Sequence, residues 1–172
     1  MNSTAENPYV GPRSFTRQEA NLFFGREREA RQLLARVISE RLVLFYAQSG
    51  AGKSSLINAR LIPQLEEAAY KVLPVGRVSG DLPPGVSQVN NIYSFNLVLS
   101  LDQGRSKPHE LTQLTLSQYL PDLVKARTTT PAARPAHAAS FEDAESPHVL
   151  IIDQFEEIIT SHPEHWQERE GF

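Results

Sequence analysis

At 172 residues, with 40 % hydrophobic and 22 % charged side chains, the chain has the composition of a soluble globular protein large enough for one α/β core. A formal net charge of -3 argues against a protein whose main partner is nucleic acid, because neutralising phosphates takes clustered Lys and Arg. The absence of cysteine excludes disulfides, iron–sulfur clusters and thiolate zinc sites together and suits a reducing cytoplasm, while the polar Met1 to Asn7 and the lack of a long apolar run predict neither a secretory leader nor a membrane span.

In chain order, Met1 to Arg13 carries Pro8, Gly11 and Pro12 and reads as an irregular lead-in. Thr16-Arg17-Gln18-Glu19 has the spacing of a capping box, so a short helix is expected to begin there. Gly25 interrupts the pattern after Leu22-Phe23-Phe24. Ala30, Leu33, Leu34, Val37 and Ile38 then recur at three- and four-residue steps, which predicts an amphipathic helix over Glu27 to Glu40.

That helix runs into Leu42 to Tyr46, a short apolar run expected to be a buried strand. The run breaks into Ala47-Gln48-Ser49-Gly50-Ala51-Gly52-Lys53-Ser54, close to the Walker A pattern G-x-x-x-x-G-K-[ST]. The chemistry needs these residue types: glycines let backbone N–H groups close on phosphate oxygens, and a following helix N-terminus favours negative charge. Lys53 is expected to reach the β- and γ-phosphates, and Ser54 to offer its hydroxyl to Mg²⁺. Ala47 stands where the pattern has its first glycine, which is tolerable only if its φ is negative. By itself such a turn can also be a plain tight connection in an α/β protein.

Beyond the helix carrying Ile57, Leu61 and Leu65, a second strand is predicted over Val72 to Val78, at a sheet edge because Pro74 cannot donate to a ladder. A helix is expected over Asn91 to Gln103, ended by Gly104, and a weaker one over His109 to Leu120. Thr128 to Ser146 is rich in Thr, Pro, Ala and Ser without periodicity and reads as a flexible loop.

His148 to Asp153 is an apolar strand closing on a carboxylate, the Walker B arrangement that sets an Asp beside the metal. If a helix starts directly after Asp153, Glu156 and Glu157 return to its side, and one of them can orient or deprotonate an attacking water. The plainer alternative is an aspartate cap followed by a solvated acidic first turn.

The motifs Asn7-Pro8-Tyr9-Val10-Gly11, Phe23-Phe24-Gly25-Arg26-Glu27, Gln48 to Leu56 and Asp153-Gln154-Phe155-Glu156-Glu157, in that order, resemble the N-terminal half of the nucleotide-binding domain of bacterial STAND proteins, the signal transduction ATPases with numerous domains, in their novel-STAND branch. The resemblance implies a P-loop NTPase fold of the additional-strand type, a three-layer α/β sandwich with a mainly parallel sheet. In it the Asp153 strand is separated from the Leu42 strand by a later one and the Val72 strand lies at an edge. It divides the chain into a lead-in with an adenine-side box over 1–26 and the N-terminal portion of the P-loop domain over 27–172, and implies a C-terminally truncated domain from which the family's downstream strands and sensor domains are absent. It implies that Phe24, Gly25 and Arg26 pack beside adenine and ribose, that Ser49, Gly50, Ala51, Gly52, Lys53, Ser54 and Ser55 hold the phosphates, that Ser54 and Asp153 hold Mg²⁺, and that Lys53, Glu156 and Glu157 serve catalysis. The alternative for the box is that Phe23 and Phe24 are core residues flanking a helix.

The function so implied is a cytoplasmic ATP/ADP switch that self-associates through its nucleotide domain, with hydrolysis weak or undetectable in this chain alone. The alternative is a non-catalytic nucleotide-binding or scaffold fragment. His162 and His165 have a spacing that can mark a metal pair, but Pro163 between them points to a surface turn. Asp153 at the end of its strand is followed by Gln154-Phe155-Glu156 rather than by the Asp-x-x-Gly pattern, and no guanine-reading Asn-Lys-x-Asp occurs, so ATP is expected rather than GTP.

Overall fold

The computed structural model describes residue 11, residues 13–128 and residues 146–172. The loop expected over 128–146 falls almost entirely outside the described residues, as does the lead-in before Gly11. The chain forms two compact units, Met1–Lys71 and Val72–Phe172.

In the first unit the Thr16 box forms as its spacing predicts. The Glu19 carboxylate reaches back to the Thr16 amide (3.0 Å) and hydroxyl (2.8 Å), and opens a 3₁₀ turn over Arg17–Leu22. Helix α1 (Glu27–Ser39) follows, its buried stripe narrowed to Ala30 and Leu33 while Ile38 is exposed. Helix α2 (Lys53–Leu56) passes through a π turn over Ile57–Leu61 into α3 (Ile62–Glu67), helical φ/ψ being kept at each junction. The π turn has an identifiable cause. Pro63 has no amide to give and its ring would press on the carbonyl of Ala59, so the helix widens there and the Ile62 amide reaches back to Ile57 O. Leu56, Ile57, Leu61, Ile62 and Leu65 line the core of this unit.

Leu42 to Tyr46 departs from expectation. Among the described residues it joins no ladder, and Leu42, Leu44 and Tyr46 are 90 %, 76 % and 82 % exposed. An apolar run is a strand only where another strand pairs with it, and among the described residues none does.

The described sheet has two strands, β1 (Lys71–Val72) and β2 (His148–Val149), the chain passing from one unit to the other within β1. Their extended continuations run parallel: the Leu73 amide donates to Val149 O, the Gly76 amide to Ile151 O, and the Asp153 amide to Gly76 O. Leu73 to Gly76 spans one residue more than Val149 to Ile151, a bulge that lets Pro74 sit in the strand without interrupting a bond.

Between these strands lie α4 (Ile92–Asp102) and α5 (Leu116–Thr128). Helix α4 is capped by the Asn91 side chain accepting from the Ser94 amide at 2.9 Å and ends in left-handed Gln103 and Gly104. It is buried on most sides rather than along one stripe, and packs Phe95, Leu97, Val98 and Leu101 against Leu73 and Leu123. The single helix expected over His109 to Leu120 is instead a 3₁₀ turn over Pro108–Glu110 followed by α5. A second capping pair starts the new helix, the Gln118 carbonyl accepting from the Thr115 amide (2.9 Å) and hydroxyl (3.0 Å).

Candidate functional site

In the phosphate loop, Gly50 and Gly52 both take φ of 77°, in the left-handed region, whereas Ala47 does not have a positive φ. The departure at Ala47 therefore carries no backbone strain, and the two glycines stand where the turn demands them. A Cβ at Gly50 would meet nothing within 4 Å, so the loop is open on that side. The Ala51 amide closes on Gln48 O at 3.2 Å, and Gly52 caps α2. Lys53 turns its ammonium back to Ala47 O at 3.0 Å. Ser49 is exposed, and Ala51 to Ser54 are half-buried. Ser55 is buried and its hydroxyl accepts from the Phe15 amide at 3.1 Å. In this conformation it braces the loop helix from behind.

The Phe24-Gly25-Arg26 turn lies against this loop. Gly25 has a φ of 80° and Phe24 is 69 % exposed. Arg26 donates from Nη1 to Ala51 O at 3.1 Å and pairs with Glu29 at 3.0 Å. Thus the structure brings Gly25, Arg26, Ala51, Gly52 and Lys53 together within one unit.

The second unit holds the other predicted residues. Asp153 is buried at the end of the paired segment and its carboxylate lies 3.6 Å from the Arg77 guanidinium. Gln154 then takes a φ of 55°, unusual for a residue with a side chain, and the helix α6 (Glu157–Thr160) starts later than directly after Asp153. Because of this turn the two glutamates do not share one environment. Glu156 is the exposed cap of α6, while Glu157 accepts a hydrogen bond from the Ser79 hydroxyl.

His162 takes a left-handed φ of 51° and shares Gly80 O and Glu164, at 3.0 Å and 3.4 Å. A 3₁₀ stretch over Pro163–Gly171 follows, and its Glu168 carboxylate accepts from the Ile92 amide at the start of α4. Among the described residues no cluster of three or more potential ligands could hold a metal.

Sequence reasoning passed over Arg60, Arg77 and Ser79. Arg60 lies two helical turns beyond Lys53, a spacing visible in the sequence, but nothing local signals that Arg77 or Ser79 would meet Asp153 or Glu157.

A glycine turn with two left-handed residues that opens a helix at Lys53 is the loop-to-helix half of a phosphate-loop arrangement. The chain belongs to the novel STAND NTPase 1 family, whose family model matches residues 8–172. No curated protein and no solved structure matches it. Among the described residues no helix is long and apolar enough to cross a membrane.

Proposed function

We propose that this chain is the nucleotide-binding part of a cytoplasmic, ATP/ADP-operated signalling switch of bacterial STAND type, built on the three-layer α/β sandwich its family implies. One observation carries the reading: the Arg26 bond to Ala51 O joins the Phe24-Gly25-Arg26 turn to the phosphate loop, so a base-side element and a phosphate-side element form one continuous surface. The Lys53 ammonium, now on Ala47 O, would exchange that carbonyl for a phosphate oxygen, a charge-assisted bond replacing a weaker one. Phe24 would offer its exposed face to adenine.

Ser54 and Asp153 would each offer a hard oxygen donor of the kind Mg²⁺ takes, and that ion would neutralise charge on the phosphate oxygens. Glu156 or Glu157 would orient the attacking water, with hydrolysis a slow reset. A switch needs differential binding, so the γ-phosphate must favour one arrangement, which then self-associates through this domain. A second reading, a nucleotide binder that does not hydrolyse, is favoured by the Glu157 carboxylate being engaged with Ser79.

The test is thermal unfolding with ATP or ADP, with and without Mg²⁺. At a ligand concentration of about 100 Kd the native state gains about 2.7 kcal/mol, which for a chain of this size raises Tm by roughly 5–10 °C. The gain is expected to vanish in Lys53→Ala. No shift at millimolar nucleotide would refute the reading, and Lys53-dependent release of phosphate in a single turnover would remove the second one.

A further inference from the structure

The π turn forced by Pro63 contains Arg60, and this side chain does something the motif does not describe. Its Nη2 donates to the carbonyl of Phe23 and lies 3.4 Å from Glu27 Oε1, the same oxygen that accepts the Gly25 amide at 3.1 Å. One guanidinium on the phosphate-loop helix thus holds both ends of the turn that carries Phe24, Gly25 and Arg26. The widened turn also packs against the Arg17–Leu22 turn and α1, which fixes its position. The Glu27 and Gly25 amides hold the Glu27 carboxyl below the usual carboxylate range, and the nearby Arg60 charge adds to the effect.

We infer that Arg60 is a positioning residue that sets the base-side turn relative to the phosphate loop, so that the nucleoside half of a nucleotide, and not its phosphates, depends on it. This rests on the nucleotide-binding reading above. Without Arg60 the Phe23 carbonyl and the Glu27 carboxylate lose their shared cation, and the Gly25 turn is free to leave the position in which Phe24 and Arg26 flank the loop. The phosphate contacts come from the loop itself and do not pass through Arg60. Both contacts come from the one nitrogen Nη2, so a lysine ammonium can replace them in part.

The experiment is calorimetric titration of wild type, Arg60→Gln and Arg60→Lys with Mg²⁺-ADP and, separately, with Mg²⁺-pyrophosphate, alongside melting curves. The expected result is a loss of ADP affinity in Arg60→Gln of about 10- to 100-fold, the range seen when a supporting partner of a binding group is removed. Pyrophosphate affinity stays within about twofold, less than 0.5 kcal/mol, and Arg60→Lys recovers part of the ADP affinity. Should Arg60→Gln unfold, Glu27→Gln is expected to give the same selective loss. Equal losses for both ligands, or none, overturn the positioning role. A wild type that binds ADP no tighter than pyrophosphate overturns it together with the reading beneath it.

Discussion

Replacing Gly76 with alanine tests how the strand next to Asp153 is seated. Gly76 faces α4, and a Cβ there would overlap Leu97 Cδ1 and stand 3.4 Å from Leu101 Cδ2. Leu97 and Leu101 are both fully buried, so neither can swing into solvent. Gly76 does not use a positive φ, so an alanine would suffer from overlap alone. Overpacking of this kind costs about 1–3 kcal/mol, which in a chain of this length lowers Tm by roughly 2–12 °C. Strain relieved by backbone movement would be passed directly to Asp153, whose amide donates to Gly76 O at 2.9 Å. Unfolding followed by the fluorescence of Trp166, the single tryptophan and part of the same unit, reads the change. Leu97→Ala alone is expected to cost about 2–5 kcal/mol through its cavity. The double variant should cost less than the sum, because the new methyl enters the vacated space. A wild-type Tm for Gly76→Ala, or strict additivity of the pair, would refute the reasoning.

Two further outcomes are expected of the titratable groups. The Tyr119 hydroxyl donates to buried Asp102 at 2.7 Å, and Tyr119→Phe should cost about 1.5–3 kcal/mol, the worth of a hydrogen bond to a charged group. Burial of Asp102 opposes its ionisation, but the Ser106 amide, the Tyr119 and Ser106 hydroxyls and Arg105 outweigh it and keep the carboxyl below its usual range. Burial, then the bond to Asp102, pushes the Tyr119 hydroxyl from 10.0 up to about 12, so stability falls as pH rises through that window. A tyrosinate titration of Tyr119→Phe should lose a late-ionising group relative to wild type; loss of a group that ionises at the ordinary pH would contradict the buried bond. Glu19 is lowered from 4.5 to about 2 by Arg13 and then by the Thr16 amide and hydroxyl. Its contribution is complete above the unfolded value and is lost as pH falls from about 4.5 toward 2, so Glu19→Gln should flatten the acid side of the stability curve. Identical acid slopes for the two proteins would count against the box.

Local chemistry was legible where it is set by neighbours in the chain. The Thr16–Glu19 box, the stop of α4 at Gly104 and the turn at Gly50 and Gly52 each depend on a spacing or a permitted φ, and each occurs where expected. The helix expected from His109 was misread because two start signals, Pro108 and Thr115-x-x-Gln118, compete within one polar stretch. A helix starting directly after Asp153 would bring Glu156 and Glu157 to one side, whereas the left-handed Gln154 delays α6 and separates them.

The sequence by itself determined the family and the order of its motifs, since a phosphate loop is a local pattern of glycine, lysine and hydroxyl on a strand-to-helix turn. Only the tertiary structure decided which backbone groups pair and which side chains meet. The Leu42 run is apolar enough for a strand but finds no ladder among the described residues, whereas the proline-bearing Val72 segment does, through a bulge. Arg60 reaches Phe23 and Glu27 from residues distant in sequence, because a π turn and the packing of α1 bring them together. Pairing and long-range contact depend on what lies across a gap in space, which no local spacing encodes.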